Sequence, residues 1–107
     1  MQAVDLRHVY VIVRDDLEPR HKAVQATHAG IQAGRGLIPQ DAAHPNLVLL
    51  TVPNRFALIA ASVSLNKQGI THEVFYEADM DYEPTALATE PISGDTRQVL
   101  ADYPLLT

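Results

Sequence analysis

The chain has 107 residues with 47% hydrophobic and 20% charged side chains, which suits one globular domain whose core needs no metal or disulfide staple. It contains no cysteine, and so disulfides, zinc–thiolate sites, thiol nucleophiles and thiolate-held clusters are excluded. Its net charge of −5, from 8 Lys and Arg against 13 Asp and Glu, argues against a protein that coats nucleic acid along much of its surface.

Taken in chain order, His8–Val13 is rich in β-branched residues and free of breakers, the pattern of a buried strand central in a sheet. Arg14 to Pro19 turns the chain, and Asp16 is placed to accept hydrogen bonds from the first amides of a helix running from about Glu18 to Gly34. A Gly- and Pro-containing connection, Gly36 to Pro45, leads to a second apolar strand, Asn46–Val52. Pro53-Asn54 opens another helix through about Lys67, with Phe56, Ile59, Ala60, Val63 and Leu65 as its apolar face and Gly69 as its stop. Thr71–Tyr76 reads as a third strand, Thr85–Thr89 as a short fourth, and Asp95–Asp102 as a final short helix. The order β-α-β-α-β-β-α predicts a single α/β domain on a mixed four-stranded sheet flanked by helices, with parallel strands joined by right-handed crossovers.

The first helix carries two stripes. Ala23, Ala26, Gly30 and Ala33 recur at three- and four-residue spacing and form a smooth surface that lets another backbone approach. His21, Gln25, His28 and Gln32 form a second stripe that is wholly polar. The two histidines lie seven residues apart, about 10.5 Å along a helix axis, too far to share one zinc ion with ligands at about 2 Å. No metal site and no cofactor is therefore expected. His28 is the candidate general base, since an imidazole titrates within the physiological range. A half-buried histidine bonded to a carbonyl is the competing expectation.

Ligands of open α/β sheets gather beyond the carboxyl ends of the strands, near the start of the next helix. Arg14, Arg20, His21 and Lys22 fall there and form a candidate anion site, although Asp15, Asp16 and Glu18 partly cancel its field. Charge is unevenly distributed as well. Residues 1–36 hold Arg7, Arg14, Arg20, Lys22 and Arg35, whereas residues 72–107 hold Arg97 as their one basic group, so a polyanion would meet the first third. The acidic stretch Glu77–Glu83 follows the third strand, and within it Glu77 or Asp79 is placed to orient a histidine or a water. No apolar run approaches the roughly 20 residues of a membrane span, and the opening MQAVDLRH lacks the regions of a secretion signal. A cytoplasmic protein without a membrane partner is expected.

The run VIVRDDLEPRHKAVQATHAG resembles the opening strand, loop and first helix of the type-II peptidyl-tRNA hydrolase family, with Arg14, Asp16, Leu17, Gln25, His28 and Ala29 matching in kind. Asn46–Val52, the helix after it and Gly69–Phe75 are similar to that family's next elements, and Thr85–Pro91 is similar to its fourth-strand segment. The resemblance covers most of the chain as one domain. It implies hydrolysis of the ester that joins a peptide to the terminal ribose of tRNA, a four-stranded mixed sheet, and a homodimer. The residues themselves suggest a division of labour for such a reaction, with Arg14, Arg20, Lys22 and Thr85 expected to bind substrate and His28, Gln25, His21 and Asp79 expected around the ester as the catalytic groups. His21 stands where the family has a lysine, and Lys22 lies one position later. The family's acid sits in a DAG turn followed by a threonine, whereas the corresponding stretch here reads EADMDYEP and is shorter by several residues. The residue-level reading places His28 and Gln25 together, looking out into a cleft whose rim attracts negative charge. The competing expectations are a non-catalytic domain of the same fold that binds an RNA end, a small anion or a protein partner, and an oligomerisation module built on the small-residue stripe and the apolar tail Tyr103–Thr107.

Overall fold

Hydrophobic alternation along the apolar runs gives a sheet in strand order β2-β1-β4-β3, with a helix on each face. The structure, a computed structural model, describes residues 7–41 and 43–107; the expectation about the opening segment falls largely outside the described residues. Strand β1 (His8–Arg14) pairs in parallel with β2 (Asn46–Val52), while β4 (Glu83–Thr89) runs antiparallel to both β1 and β3 (His72–Glu77). Helix α1 (Pro19–Gly36) connects β1 to β2, α2 (Arg55–Lys67) connects β2 to β3, and a 3-10 segment, Gly94–Leu100, follows β4. The fold is the mixed four-stranded α/β domain expected from the sequence. Its last helix is 3-10, and a further 3-10 turn, Ala78–Met80, stands between β3 and β4.

Because strand side chains alternate, β1 sends Val9, Val11 and Val13 to one face and Tyr10 and Ile12 to the other. The first set meets Ala26, Ala29 and Ala33 of α1 with Ala86 and Ala88 of β4. The second meets Leu58, Ala61 and Leu65 of α2, with Leu87 and Leu100. Alanines at the α1 contact bring that helix close to the sheet. It packs on β4, β3 and β1 and scarcely on β2, so the β2 side of this face is left open.

Two local expectations are corrected and a third is refined. Asp16 does not cap α1: both its carboxylate oxygens accept from Arg14, Nε to Oδ1 and Nη2 to Oδ2 at 2.9 Å each, and a bidentate charged pair outcompetes a single amide. Glu18 occupies the cap position without a side-chain bond, and Pro19 opens the helix with a ring that needs no donor. On α2 the buried face is Leu58, Ala61 and Leu65, whereas Phe56, Ile59, Ala60 and Val63 are exposed. The apolar tail is exposed at Pro104, Leu105 and Thr107, as expected, but its backbone is paired. Thr51 donates its amide to the Pro104 carbonyl and Leu106 donates to that of Leu49, both at 2.9 Å, so the tail pairs along the outer edge of β2.

Asn54 caps α2 through its side chain, which accepts from the amide of Ala57 at 3.0 Å. Gly69 ends it at φ +73°, a left-handed conformation that glycine adopts without steric cost. No helix among the described residues is long and apolar enough to cross a membrane.

Candidate functional site

The polar stripe of α1 lies over β3 and the start of β4. A register shift between Phe75 and Tyr76 builds a bulge there: Phe75 pairs with Ala86 and Tyr76 with Pro84, leaving Thr85 as the extra residue. Bulges of this kind re-aim side chains. Here Thr85, fully buried, points towards α1 and donates from Oγ1 to Oε1 of Gln25 at 2.7 Å. The other end of the same carboxamide, Nε2, donates to Oε1 of Glu77 at 3.0 Å. Gln25 is thereby a bridge between a bulged threonine and a carboxylate at the end of β3.

That bridge favours the ionised form of Glu77. Donation from Gln25 pulls its carboxyl below the usual carboxylate range, aided by the backbone of Asp79, the nearby His28 and the backbone of Ala78, against some loss of solvation. His28 lies one turn along α1 from Gln25, exposed, with its ring stacked on Phe75 at 4.5 Å between centroids and 4° between planes. The strand's alternation explains the company: Phe75 and Glu77 face α1, while Val74 and Tyr76 face the α2 side.

The expected outward-looking pair is therefore half right in geometry. His28 meets solvent, but Gln25 is only 4% exposed and both ends of its carboxamide are engaged inside the fold. Of the two candidate acids, Glu77 reaches Gln25, whereas Asp79 is exposed and contributes its backbone. Thr85 stands beneath the cluster, closed off from solvent, so its expected direct contact with substrate is replaced by a contact with Gln25.

The basic rim is also reorganised. Arg14 is buried, forked onto Asp16, and reaches Oε1 of Glu83 at 2.9 Å and the Pro84 carbonyl at 3.2 Å. Its guanidinium is consumed by internal partners and holds the β1 end to the start of β4, a structural duty in place of phosphate binding. Arg55 shares the Glu83 carboxylate at 3.3 Å. Lys22 pairs with Asp15 at 2.8 Å. Arg20 and His21 are exposed at the helix start, and among the described residues Arg20 forms no ion pair. Among the described residues no group of three or more His, Asp and Glu is arranged to hold a metal ion.

The opposite flank of α1 is apolar. Where the helix leaves β2 uncovered, a groove of about 530 Å³ runs between the small-residue stripe and β1–β2, lined by Ala26, Gly30, Ile31, Val11, Leu49 and Leu106 among others. Sequence reading found the stripe but not the groove, because the offset of α1 on the sheet is set by the whole packing. The bulge at Thr85 was equally hidden, since a bulge is a property of two paired strands.

No family model matches the chain, and no curated protein matches it. Among solved structures, a protein of unknown function from Agrobacterium tumefaciens is similar, with a TM-score of 0.68 at 14% identity over 97% of this chain and 100% of that one. At that identity the likeness speaks for the fold alone, and the same α/β architecture recurs in that protein over its full length.

Proposed function

We propose that the Gln25–Glu77–His28 cluster is a hydrolytic site and that the protein cleaves the ester of a peptidyl-tRNA or of a closely related acylated RNA end. The observation that carries this reading is the Gln25 bridge. Gln25 of α1 and Thr85 at the start of β4, both in segments that resemble the type-II peptidyl-tRNA hydrolases, meet at one carboxamide, and Glu77, from the acidic turn where the chain departs from that family, joins them there. In this reading His28 takes a proton from a water attacking the ester carbonyl, and the ionised Glu77 stabilises the resulting imidazolium. The new bond joins the water oxygen to the acyl carbon, the bond to the ribose oxygen breaks, and His28 returns the proton to that oxygen. Gln25 acts as a positioning residue for Glu77. Arg20 and, after release from Asp15, Lys22 would meet the RNA phosphates.

Incubation of the purified chain with labelled peptidyl-tRNA tests the reading. Turnover is expected in the wild type, with His28→Ala slower by about 100-fold, the scale of a lost general base. Turnover no higher than in buffer, or an unimpaired His28→Ala variant, removes the assignment.

A second reading has its own observation, the apolar groove beside α1. Its volume falls in the range of ligand sites, and its walls are almost entirely aliphatic. Together with the internal neutralisation of Arg14 and Lys22, this favours a non-catalytic domain that binds an apolar segment of a protein partner, a second copy of this chain included. Sedimentation of the wild type against Gly30→Leu is the discriminating measurement. Gly30 has open space where a Cβ would sit, so the larger side chain fills the groove without disturbing α1. A concentration-dependent dimer that becomes monomeric in the variant supports this reading, and a wild type that stays monomeric at high concentration counts against self-association.

A further inference from the structure

On the other face of the same strand, Ser62 of α2 and His72 of β3 form a pair that the cluster on the α1 side does not use. Ser62 Oγ lies 2.6 Å from His72 Nε2, and His72 Nδ1 lies 3.0 Å from the carbonyl oxygen of Ile70. A carbonyl oxygen only accepts, so Nδ1 carries the proton. In the neutral ring Nε2 is then an acceptor, and the serine hydroxyl donates to it. The tautomer and the ring orientation are both fixed by the backbone, which is the task a carboxylate performs in a catalytic triad.

A serine inside a helix ordinarily donates back to the carbonyl four residues earlier, as Thr27 does to Ala23 at 2.7 Å. Ser62 instead turns across to β3. Both residues are half-buried, and Ser62 opens onto a small cavity of about 80 Å³ walled by Ile59, Val63, Val74, Tyr76 and Pro84. One water needs roughly 10–15 Å³ of such space, so the cavity has room for a short acyl group. The walls are apolar.

We infer that Ser62 is an activated nucleophile and that the Ser62–His72 pair accepts a short acyl group from an activated ester. The hydroxyl oxygen attacks the acyl carbon while its proton passes to His72 Nε2. The bond to the leaving alcohol breaks, and that oxygen takes the proton from His72, leaving an acyl-serine. Water then attacks the acyl carbon, His72 takes its proton and returns it to the serine oxygen, and a free acid leaves. This site is independent of the Gln25–Glu77–His28 cluster and stands or falls without it.

The full chain is incubated with p-nitrophenyl acetate at pH 7, and nitrophenolate release is followed together with peptide mass spectrometry. The expected result is acetylation of the peptide carrying Ser62, absent in Ser62→Ala and slowed about 100-fold in His72→Gln, as a lost general base requires. Acetyl groups confined to lysines or to His28, or a His72→Gln variant that labels Ser62 at the wild-type rate, overturn the inference. A pair with a purely structural role would lower the unfolding temperature of both variants and leave Ser62 unlabelled. The cysteine-free chain supplies a second test that does not depend on ester chemistry. In a Ser62→Cys variant, the single thiol beside His72 is expected to react with iodoacetamide at least tenfold faster than in Ser62→Cys combined with His72→Gln, because a neighbouring imidazole favours the thiolate. Equal rates in the two proteins, both shown folded by circular dichroism, overturn it as well.

Discussion

At the scale of single residues the most informative side chain is Gln25, because its two ends do different work. Its oxygen receives the hydroxyl proton of a threonine that has no route to water, and its nitrogen holds a carboxylate in the ionised form. Replacement by Glu keeps the shape and removes the donor. The side chain can still accept from Thr85, but a second negative charge then faces Glu77. In the wild type Glu77 has a lowered pKa, so its favourable contribution is present above the ordinary value near 4.5 and is lost as pH falls through the depressed one. In Gln25→Glu the sign reverses. Repulsion raises the Glu77 pKa above its unfolded value, and the variant gains stability relative to the wild type as pH falls from 7 through the carboxylate range. Urea unfolding of both proteins at neutral and at mildly acidic pH checks this. A stability deficit that stays constant across that range would mean the two side chains do not interact.

Secondary-structure elements were legible to different degrees, and the reason is physical. The strands could be read because Val, Ile and Leu cluster in runs too short for a helix, and β1 and β2 lie where those runs predict. The existence of α2 was legible too, but not its orientation. Its sequence places apolar residues almost all the way round, at 56–61, 63 and 65, so no single phase stands out and the packing decides. Leu58, Ala61 and Leu65 won the interior, leaving Phe56 68% exposed and Ile59 48% exposed. The consequence is a sharp contrast between neighbours: Leu58→Ala is expected to cost about 2–5 kcal/mol, while Ile59→Lys, one residue on, should cost under about 0.5 kcal/mol. Thermal unfolding of the two variants decides between the observed face and the one expected from the sequence, which would penalise Ile59→Lys more. For the candidate site, Gln25, His28 and Glu77 were all visible as residue types at suggestive positions. The bond that unites them was not, because Thr85 reaches Gln25 only through the bulge opposite Phe75 and Tyr76. The same limit hid the Ser62–His72 pair, which joins a helix to a strand ten residues on.

Viewed as a whole, the molecule is a four-stranded sheet whose one face is half covered, with α1 seated on β1, β4 and β3 while β2 lies beyond its reach. The chain's last residues meet that deficit. Pro104 and Leu106 pair with Thr51 and Leu49 along the outer edge of β2, and Leu106 folds its side chain towards the core under the groove. An edge strand left open is a template for another chain, so the tail should act as a cover for β2 as well as a source of contacts. Removing residues 104–107 forfeits two backbone hydrogen bonds at about 0.5–1.5 kcal/mol each and part of a leucine's burial, about 1–2 kcal/mol. A loss of about 2–5 kcal/mol is therefore expected. The more telling effect is on association. With the Thr51 amide and the Leu49 carbonyl unpaired and Leu47 already 59% exposed, the truncated chain should self-associate through β2 at concentrations where the intact chain does not. Analytical ultracentrifugation of the two proteins, with thermal unfolding in parallel, reads both effects. A truncated chain that unfolds at the same temperature and sediments as the intact one would show that the β2 edge is protected by something other than its tail.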